Sequence, residues 1–249
     1  MKTLVVIPTY NEAETITALL EAVRAAAPAV DVLVVDDGSP DGTGKLAEDV
    51  AARLGQIEVL HRERKSGLGT AYRAGFAKGL AQGYDAFVEM DADFSHDPVA
   101  LPGLLEVAEE YEVVIGSRYV PGAAIPNWTL ARLALSRGGN LYASMLLSLK
   151  VADATAGFRV YRRSALERMD YATVRADGYG FQIEMTYRAR RAGASIREVP
   201  ITFIDRVQGS SKMSSAIVVE ALLLVTLWAA QRPVRALRAW ASRPKDAQD

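Results

Sequence analysis

The sequence contains no cysteine, which excludes disulfide bonds, thiolate nucleophiles and cysteine-ligated zinc sites and is compatible with a reducing cytoplasm. Histidine is nearly as scarce, because His61 and His96 are the only two among 249 residues, so a site built from several histidines is also excluded. Neither sign of charge dominates, since 29 lysines and arginines stand against 30 aspartates and glutamates. A chain with this balance has no bulk attraction to nucleic acid, and we predict no nucleic-acid partner.

Long apolar runs are also missing, and none reaches the roughly 20 residues that a membrane-spanning helix needs. The nearest, residues 216–230, is apolar except for Glu220 and Thr226. As a helix it would be about 22 Å long, against a hydrocarbon core of about 30 Å. The amino-terminal run that ends at Pro8 has no small-residue cleavage site after it, so we interpret it as a strand and not as a signal peptide.

Two nucleotide-binding patterns are absent after this first strand. The turn reads Pro8-Thr9-Tyr10-Asn11, where a dinucleotide-binding fold would show Gly-x-Gly-x-x-Gly, so we exclude a nicotinamide-dependent oxidoreductase. A nucleotidyltransferase would show a glycine-rich activating loop with a lysine, and none follows Ile7.

What the chain does contain is a regular alternation of strand and helix signals. Short apolar runs predict strands at residues 4–7, 32–35, 57–60, 86–90 and 113–115. Between them the sequence predicts helices at residues 13–26, 43–54, 70–80 and 99–110. Asn11 followed by Glu14 has the spacing of a helix cap before the first of these helices. This alternation predicts an α/β fold with right-handed crossovers and a mixed, mainly parallel sheet flanked by helices.

The carboxyl-terminal half has a different pattern. Residues 127–151 predict two core helices separated at Gly138-Gly139, residues 181–192 predict a further helix, and residues 196–203 predict a last strand. The polar segment from Arg206 to Lys212 contains a glycine and is suited to close over an anion.

Four polar loops follow predicted strands, and they carry the chemistry of the chain. They are residues 10–12, 36–37, 67–69 and 91–93. Because the carboxyl ends of parallel strands meet at one edge of a sheet, these loops are expected to form a single nucleotide-sized cleft.

Asp91 and Asp93 are the most informative residues of these loops. They stand two positions apart at the end of a predicted strand, and carboxylate oxygens there can hold a divalent cation. Taken alone, an Asp-x-Asp is equally compatible with loop carboxylates that cap the helix after Pro98. The other motifs of the chain decide between these interpretations.

The tail combines an apolar stretch with a basic one. After residues 216–230 three arginines recur at every third position beside apolar side chains, namely Arg232, Arg235 and Arg238 with Val234, Leu237 and Trp240. A basic amphipathic segment of this kind favours an anionic membrane surface. The alternative is a carboxyl-terminal helix packed on the core with solvated arginines.

Four motifs in this order resemble a known family, the inverting glycosyltransferases of family 2 with the A-type nucleotide-sugar fold. They are residues 6–12, 35–43, 90–96 and 116–119. Residues 153–159, 178–184 and 209–214 are further similar to dolichol-phosphate or polyprenol-phosphate mannose synthases, in the short form without transmembrane helices. The likeness runs from about residue 3 to about residue 215.

The resemblance implies transfer of mannose from GDP-mannose to a polyprenyl monophosphate, with inversion and with Mg²⁺ or Mn²⁺ as cofactor. Residues 1–215 would form a Rossmann-like catalytic domain, and residues 216–249 an amphipathic segment with interfacial helices that associates with the membrane. The enzyme would then be a peripheral protein at the cytoplasmic face, and an integral-membrane partner subunit is compatible with this arrangement.

The resemblance also assigns roles to individual residues. The donor-binding set is Pro8, Tyr10, Glu12, Val35, Asp37, Asp91, Ala92, Asp93, Arg206 and Lys212. The acceptor phosphate would be held by Arg118, Arg132 and Arg137, and the residues at the reacting centre would be Asp91, Asp93 and Arg118. The metal ligands would be Asp93 and Ser95, where some relatives have a glutamine in place of the weaker serine ligand.

A lipid phosphate is already an anion near neutral pH, so the expected mechanism relies on positioning and charge neutralisation and needs no general base. Other functions fit the same residues. A hexosyltransferase that uses a UDP-sugar with the same lipid acceptor, a glycosyltransferase with a soluble acceptor and a non-catalytic nucleotide-sugar-binding module remain as alternatives.

Overall fold

The computed structural model describes residues 1–205 and 221–230. Its strands are β1 (Thr3–Thr9), β2 (Asp31–Asp36), β3 (Ile57–His61), β4 (Ala86–Glu89), β5 (Val113–Ser117), β6 (Arg159–Arg162) and β7 (Ile196–Pro200). Its α-helices include α1 (Ile16–Ala26), α2 (Thr43–Leu54), α3 (Leu68–Ala81), α4 (Leu101–Val107), α5 (Leu130–Leu147), α6 (Arg163–Met169) and α7 (Gly178–Arg191). Residues 221–230 are also helical.

The strands named above form one sheet in the order β3-β2-β1-β4-β6-β5-β7. Parallel pairing joins β1 to β2 and to β4, β2 to β3, and β5 to β7, whereas β6 runs antiparallel to both of its neighbours. The predicted mixed, mainly parallel α/β sheet is therefore confirmed. The position of β1 between β2 and β4 brings the loops that follow these three strands side by side.

Both faces of the sheet are covered, as the apolar runs of its strands require. Val5 and Val34 point to the face covered by α1, α2 and α4, whereas Val6 and Val35 point to the face covered by α3 and α7. All four side chains are fully buried. Packing on both faces stabilises the sheet, so the functional residues are expected in the loops at its edge.

The predicted start of the first helix is wrong. Helix α1 begins at Ile16 and not at residue 13, and Asn11 has a left-handed backbone with φ of 59° in place of a cap conformation. The intervening backbone is instead held by the loop after β2. The N–H of Glu12 donates to Thr43 Oγ1 at 2.9 Å, and the N–H of Ala13 donates to Asp41 Oδ2 at 3.1 Å. These hydrogen bonds to Asp41 and Thr43 hold residues 12–13 in a non-helical conformation, in place of the predicted cap at Asn11.

Two other predicted elements are also corrected. The expected helix at residues 99–110 is a 3-10 turn at Pro98–Ala100 followed by the shorter α4. The expected pair of core helices at residues 127–151 is the single helix α5, which continues through Gly138-Gly139. Much of α5 faces outward, with Leu130 84% and Met145 71% exposed, so its apolar residues do not all belong to the core.

The helix at residues 221–230 packs on the hydrophobic core of the sheet. Val225 is 1% exposed and joins the core cluster on the α3 and α7 side of the sheet, and Thr226 and Tyr142 share a hydrogen bond between their hydroxyl groups at 2.7 Å. Within the two described ranges, no helix combines the length and the apolar character needed to cross a bilayer. Residues 206–220 and 231–249, which include the three arginines of the predicted amphipathic tail, lie outside those ranges.

Candidate active site

A cavity of about 410 Å³ opens at the carboxyl edge of the sheet, where the loops after β1, β2, β3 and β4 converge. The predicted site residues that line it are Pro8, Tyr10, Glu12, Asp37, Asp91, Ala92, Asp93, Ser95, Arg118 and Arg132. The sequence-based expectation of one shared cleft therefore agrees with the structure. Val35 is the exception on the donor side, because its side chain is fully buried against the α3 face of the sheet.

The loops after β1, β2 and β3 form one end of the cavity. The Asp37 carboxylate lies 3.0 Å from Arg62 Nη1 and accepts the backbone N–H of Ser66 at 3.0 Å. The ammonium group of Lys65 lies 4.4 Å from the centre of the Tyr10 ring. These contacts fix an aromatic ring and a buried carboxylate at the cavity wall, which suits a nucleoside with a flat base and ribose hydroxyls.

The Asp-x-Asp loop forms the middle of the cavity. The Asp91 side chain is 32% exposed and accepts the Tyr72 hydroxyl at 3.4 Å, whereas Asp93 is 6% exposed and its Oδ1 accepts the backbone N–H of Ser95 at 3.0 Å. Between them and the next helix the chain turns through Phe94, which has a left-handed φ of 60°. The two carboxylates therefore differ in burial and in hydrogen bonding.

This loop has the donor chemistry that Mg²⁺ or Mn²⁺ prefers. Asp93 contributes a carboxylate and Ser95 a hydroxyl, both hard oxygen ligands. The described part of the chain holds no cluster of three or more histidines, cysteines or carboxylates able to bind a metal by itself. Mg²⁺ commonly keeps water and takes substrate phosphates beside one or two carboxylates, so the residues present fit an ion shared with a diphosphate.

Arg118, which also lines the cavity, forms a buried ion pair with Asp153. Arg118 Nε and Nη2 donate to the two Asp153 oxygens at 2.8 and 2.7 Å, and Nη2 also donates to Thr155. Burial opposes the charge of each group, but contact with its partner prevails, so the pKa of Arg118 is raised and the pKa of Asp153 is lowered. The guanidinium group of Arg118 is thus held in one position. From sequence alone, Arg118 could also have been a solvated charge on the surface.

The other two predicted acceptor arginines have different positions. Arg132 lines the cavity, pairs with Asp205 and lies with its guanidinium carbon 4.1 Å from the Trp128 ring centre. Arg137 is exposed and lies over the Tyr119 ring, and it is not part of the cavity lining. The structure therefore brings Arg118 and Arg132 together and leaves Arg137 outside. Arg206 and Lys212 lie beyond the described residues.

Comparison with known proteins now decides the family. Residues 4–170 match the sequence pattern of the family described as Glycosyl transferase family 2, which is more than half of the chain. The chain belongs to glycosyl transferase family 2. The predicted family and the predicted class of enzyme are confirmed by this match.

Two curated relatives are similar to this glycosyltransferase over most of its length. The undecaprenyl-phosphate mannosyltransferase of Micrococcus luteus is 50% identical over 239 residues, which cover 96% of this chain and 98% of the relative. The polyprenol monophosphomannose synthase of Mycolicibacterium smegmatis is 50% identical over 229 residues, which cover 91% and 86%. The predicted similarity to polyprenol-phosphate mannose synthases is therefore confirmed.

A solved structure confirms the A-type fold of the glycosyltransferase. Glucosyl-3-phosphoglycerate synthase from Mycobacterium tuberculosis, in complex with Mn²⁺, uridine diphosphate and glucosyl-3-phosphoglycerate, has a TM-score of 0.67 and 20% sequence identity. The match covers 92% of this chain and 80% of that one. At this identity the likeness concerns the fold alone.

Sequence reasoning missed several residues of the glycosyltransferase cavity. His96, Thr155, Gly157 and Gln182 line it although none was assigned a role beforehand. The scarcity of histidine and the proximity of His96 to the Asp-x-Asp pair were a usable signal. The others lie within motifs that supported the family resemblance, but their positions depend on packing between β6 and α7.

Glu89 is a further buried group that sequence did not single out. It is fully buried, close to the Arg159 guanidinium and the Gln182 amide. Burial raises the pKa of Glu89 to about 8, against the opposing effects of the Arg159 charge and the Gln182 amide. Burial therefore disfavours the charged form of this carboxyl group next to the Asp-x-Asp loop.

Proposed function

We propose that this enzyme transfers mannose from GDP-mannose to a polyprenyl monophosphate with inversion at the anomeric carbon. The observation that carries the proposal is a single cavity lined both by the carboxylates of Asp91 and Asp93 and by two arginines, Arg118 and Arg132. The carboxylates suit a cation-bound diphosphate, and the guanidinium groups suit a phosphate acceptor. The names of the two relatives that share 50% of its sequence support the same assignment.

The donor side holds and orients the nucleotide sugar. Tyr10 and Asp37 contact the nucleoside, while Asp91 contacts the ribose or the sugar. Asp93 and Ser95 would hold Mg²⁺ or Mn²⁺, and the bound ion supplies charge neutralisation at the leaving diphosphate. Because the cavity presents these groups from strand ends, they can hold the donor in a fixed orientation for attack.

The acceptor side requires no general base, since a phosphate monoester is ionised near neutral pH. Asp153 engages Nε and Nη2 of Arg118 and leaves Nη1 outside this two-point contact. Arg132 is paired with Asp205, which is 40% exposed, so an arriving phosphate exchanges with a partly solvated carboxylate. Arg118 therefore binds the acceptor phosphate from a fixed position. Arg132 exchanges its ion pair with Asp205 for one with the phosphate when the acceptor binds.

The assay that tests this function offers GDP-mannose, UDP-glucose and GDP-glucose, each radiolabelled in the sugar, with a polyprenyl phosphate. Transfer from GDP-mannose into the lipid phase supports the proposal. Transfer only from a UDP-sugar would contradict the proposed donor and indicate a hexosyltransferase of another specificity. Transfer only to water or to soluble phosphate esters would contradict the proposed lipid acceptor. A matched reaction with a polyprenol that lacks the phosphate controls for non-specific partition of the label.

We also propose that the enzyme is a peripheral protein at the cytoplasmic face of the membrane, and that α5 together with residues 221–230 faces the bilayer. Most of the strongly exposed large apolar side chains of the described residues lie on these two helices, namely Leu130, Leu135, Leu141, Met145, Leu146, Leu222, Leu223 and Leu227. Helix α5 carries arginines but no aspartate or glutamate. Arg132 on the same helix lines the cavity, so the lipid phosphate can reach it while the isoprenoid chain stays in the bilayer.

The membrane proposal predicts that Leu141→Glu combined with Met145→Glu weakens binding to anionic phospholipid vesicles by at least about 10-fold. Two apolar side chains of this size contribute about 1.5 to 3 kcal/mol each when fully removed from water. Val99→Glu serves as the matched control, because Val99 is 76% exposed but lies on a different surface turn. Vesicle co-sedimentation of the full chain measures the effect, and equal loss of binding in the control would contradict the proposal.

A further inference from the structure

His96 is the one histidine of the cavity, and the structure places it against Asp91. The ring is 2% exposed, and its Nδ1 accepts the backbone N–H of Asp91 at 3.1 Å. On the other side of the ring, Nε2 lies 4.0 Å from Asp91 Oδ2. A single side chain therefore meets both the backbone and the carboxylate of the same aspartate.

These contacts define the protonation state of the ring. A ring nitrogen that accepts an N–H bond carries no proton, so in this arrangement the ring is neutral and the hydrogen is on Nε2. The protonated nitrogen is then Nε2, the one that lies 4.0 Å from Asp91 Oδ2. A small inward movement of the carboxylate would turn the 4.0 Å contact into a hydrogen bond.

The ring is itself held in place from several sides. It stacks on Phe158 with ring centres 5.2 Å apart and meets the edge of Phe203 at 5.9 Å. Gly157 makes this approach possible, because a Cβ at that position would lie 3.2 Å from the His96 ring and 3.4 Å from Asp91 Oδ2. The ring thus connects the Asp-x-Asp loop to β6 and to the chain that follows β7.

We propose that His96 is a positioning residue that holds Asp91 in the orientation needed to bind the nucleotide-sugar donor. The inference rests on the proposed function for the identity of the donor, but its test is donor binding in itself. His96 touches no reacting atom in this account. It acts through Asp91, whose carboxylate is one third exposed to the cavity.

Two variants separate packing from positioning. His96→Phe keeps an aromatic ring for the stack on Phe158 but removes both nitrogens. His96→Asn places an amide oxygen near the position of Nδ1, so it can still accept the Asp91 N–H, although it loses the ring. A merely structural role predicts that phenylalanine is the better replacement, whereas a positioning role predicts that asparagine is.

The measurements are calorimetric binding of GDP-mannose at saturating Mg²⁺, the KM values for donor and acceptor, and the melting temperature. For His96→Phe we expect donor affinity to fall about 10- to 100-fold, since small misplacements of a binding group have effects of this size. Acceptor KM and melting temperature should stay near those of the wild type. For His96→Asn we expect recovery of most of the donor affinity. His61→Phe, which replaces the exposed histidine paired with Glu48, is the matched control and should bind like the wild type.

Each outcome decides the matter. Wild-type donor affinity in His96→Phe, or no recovery in His96→Asn, overturns the positioning role. Equal loss of donor and acceptor affinity together with a lower melting temperature shows a structural role instead. If the wild type binds UDP-glucose but not GDP-mannose, the proposed function fails, and the variants are then compared on the nucleotide sugar that does bind. If the wild type binds no nucleotide sugar, both proposals fall.

Discussion

Replacement of Asp93 by asparagine is expected to reduce glycosyl transfer by about 1,000-fold or more while leaving the fold intact. The asparagine oxygen can still accept the Ser95 N–H that Asp93 Oδ1 accepts now, so the loop conformation keeps its hydrogen bond. If Asp93 holds the cation as proposed, what is lost is the negative charge that binds this ion next to the diphosphate. Charge stabilisation by such an ion is worth several kcal/mol, and each 1.36 kcal/mol corresponds to a factor of ten in rate.

The control for this experiment lies four residues further along the same loop. Asp97 is exposed, and its carboxylate accepts the N–H of Val99 at the 3-10 turn, so Asp97→Asn changes the net charge equally without touching the cavity. Transfer is measured with Mg²⁺, with Mn²⁺ and in excess chelator, and Mn²⁺ affinity is measured separately by electron paramagnetic resonance. Near-normal turnover of Asp93→Asn, or of the wild type in chelator, would exclude this aspartate as the cation ligand.

The grouping of the proposed donor-binding residues around one cavity could be predicted from sequence, because their position at the sheet edge follows from topology. Tyr10, Asp37 and Asp93 each follow a strand by only one or two residues, or by the first turn of a loop, and adjacent parallel strands place such residues at one edge. Local hydrophobic runs suffice to find those strands. Val35 is not part of this cavity lining. Residues inside a strand alternate between the two faces of the sheet, and the sequence does not state which face borders the cavity.

The acceptor side could not be predicted in the same way, because its contacts join distant parts of the chain. Asp153 is 35 residues from Arg118, and Asp205 is 73 residues from Arg132. Sequence gives the charges but not their partners. It therefore singled out Arg118 by its motif but did not distinguish Arg132 from Arg137, whereas the structure has a buried Arg118, a paired Arg132 and an exposed Arg137. The sequence predicted that the apolar residues of α5 lie in the core, because apolar residues at helical spacing are usually buried. The exposed face of α5 did not follow from this pattern, since the pattern is the same whether the apolar face packs on protein or on a membrane.

Asp153→Ala is expected to lower the free energy of unfolding by about 3–5 kcal/mol. The side chain of Asp153 is fully buried, and its removal leaves the guanidinium of Arg118, itself only 6% exposed, without a counter-charge. Activity should fall with stability, because Arg118 then lacks the two hydrogen bonds that fix its orientation. Glu167→Ala is the matched control. Its ion pair with Arg163 is solvent-exposed, and loss of such a pair costs about 1 kcal/mol or less.

The double variant Arg118→Met with Asp153→Val separates stability from chemistry. With both members of this ion pair removed, it is expected to be more stable than Asp153→Ala, because a buried ion pair replaced by apolar residues avoids the cost of a single unpaired charge. Its transfer activity is nevertheless expected to stay near background, since the fixed guanidinium on the acceptor side is gone. Urea unfolding and the radiolabel assay measure the two properties on the same samples. Recovery of transfer in the double variant would show that Arg118 serves the fold alone, and the acceptor phosphate would then depend on Arg132.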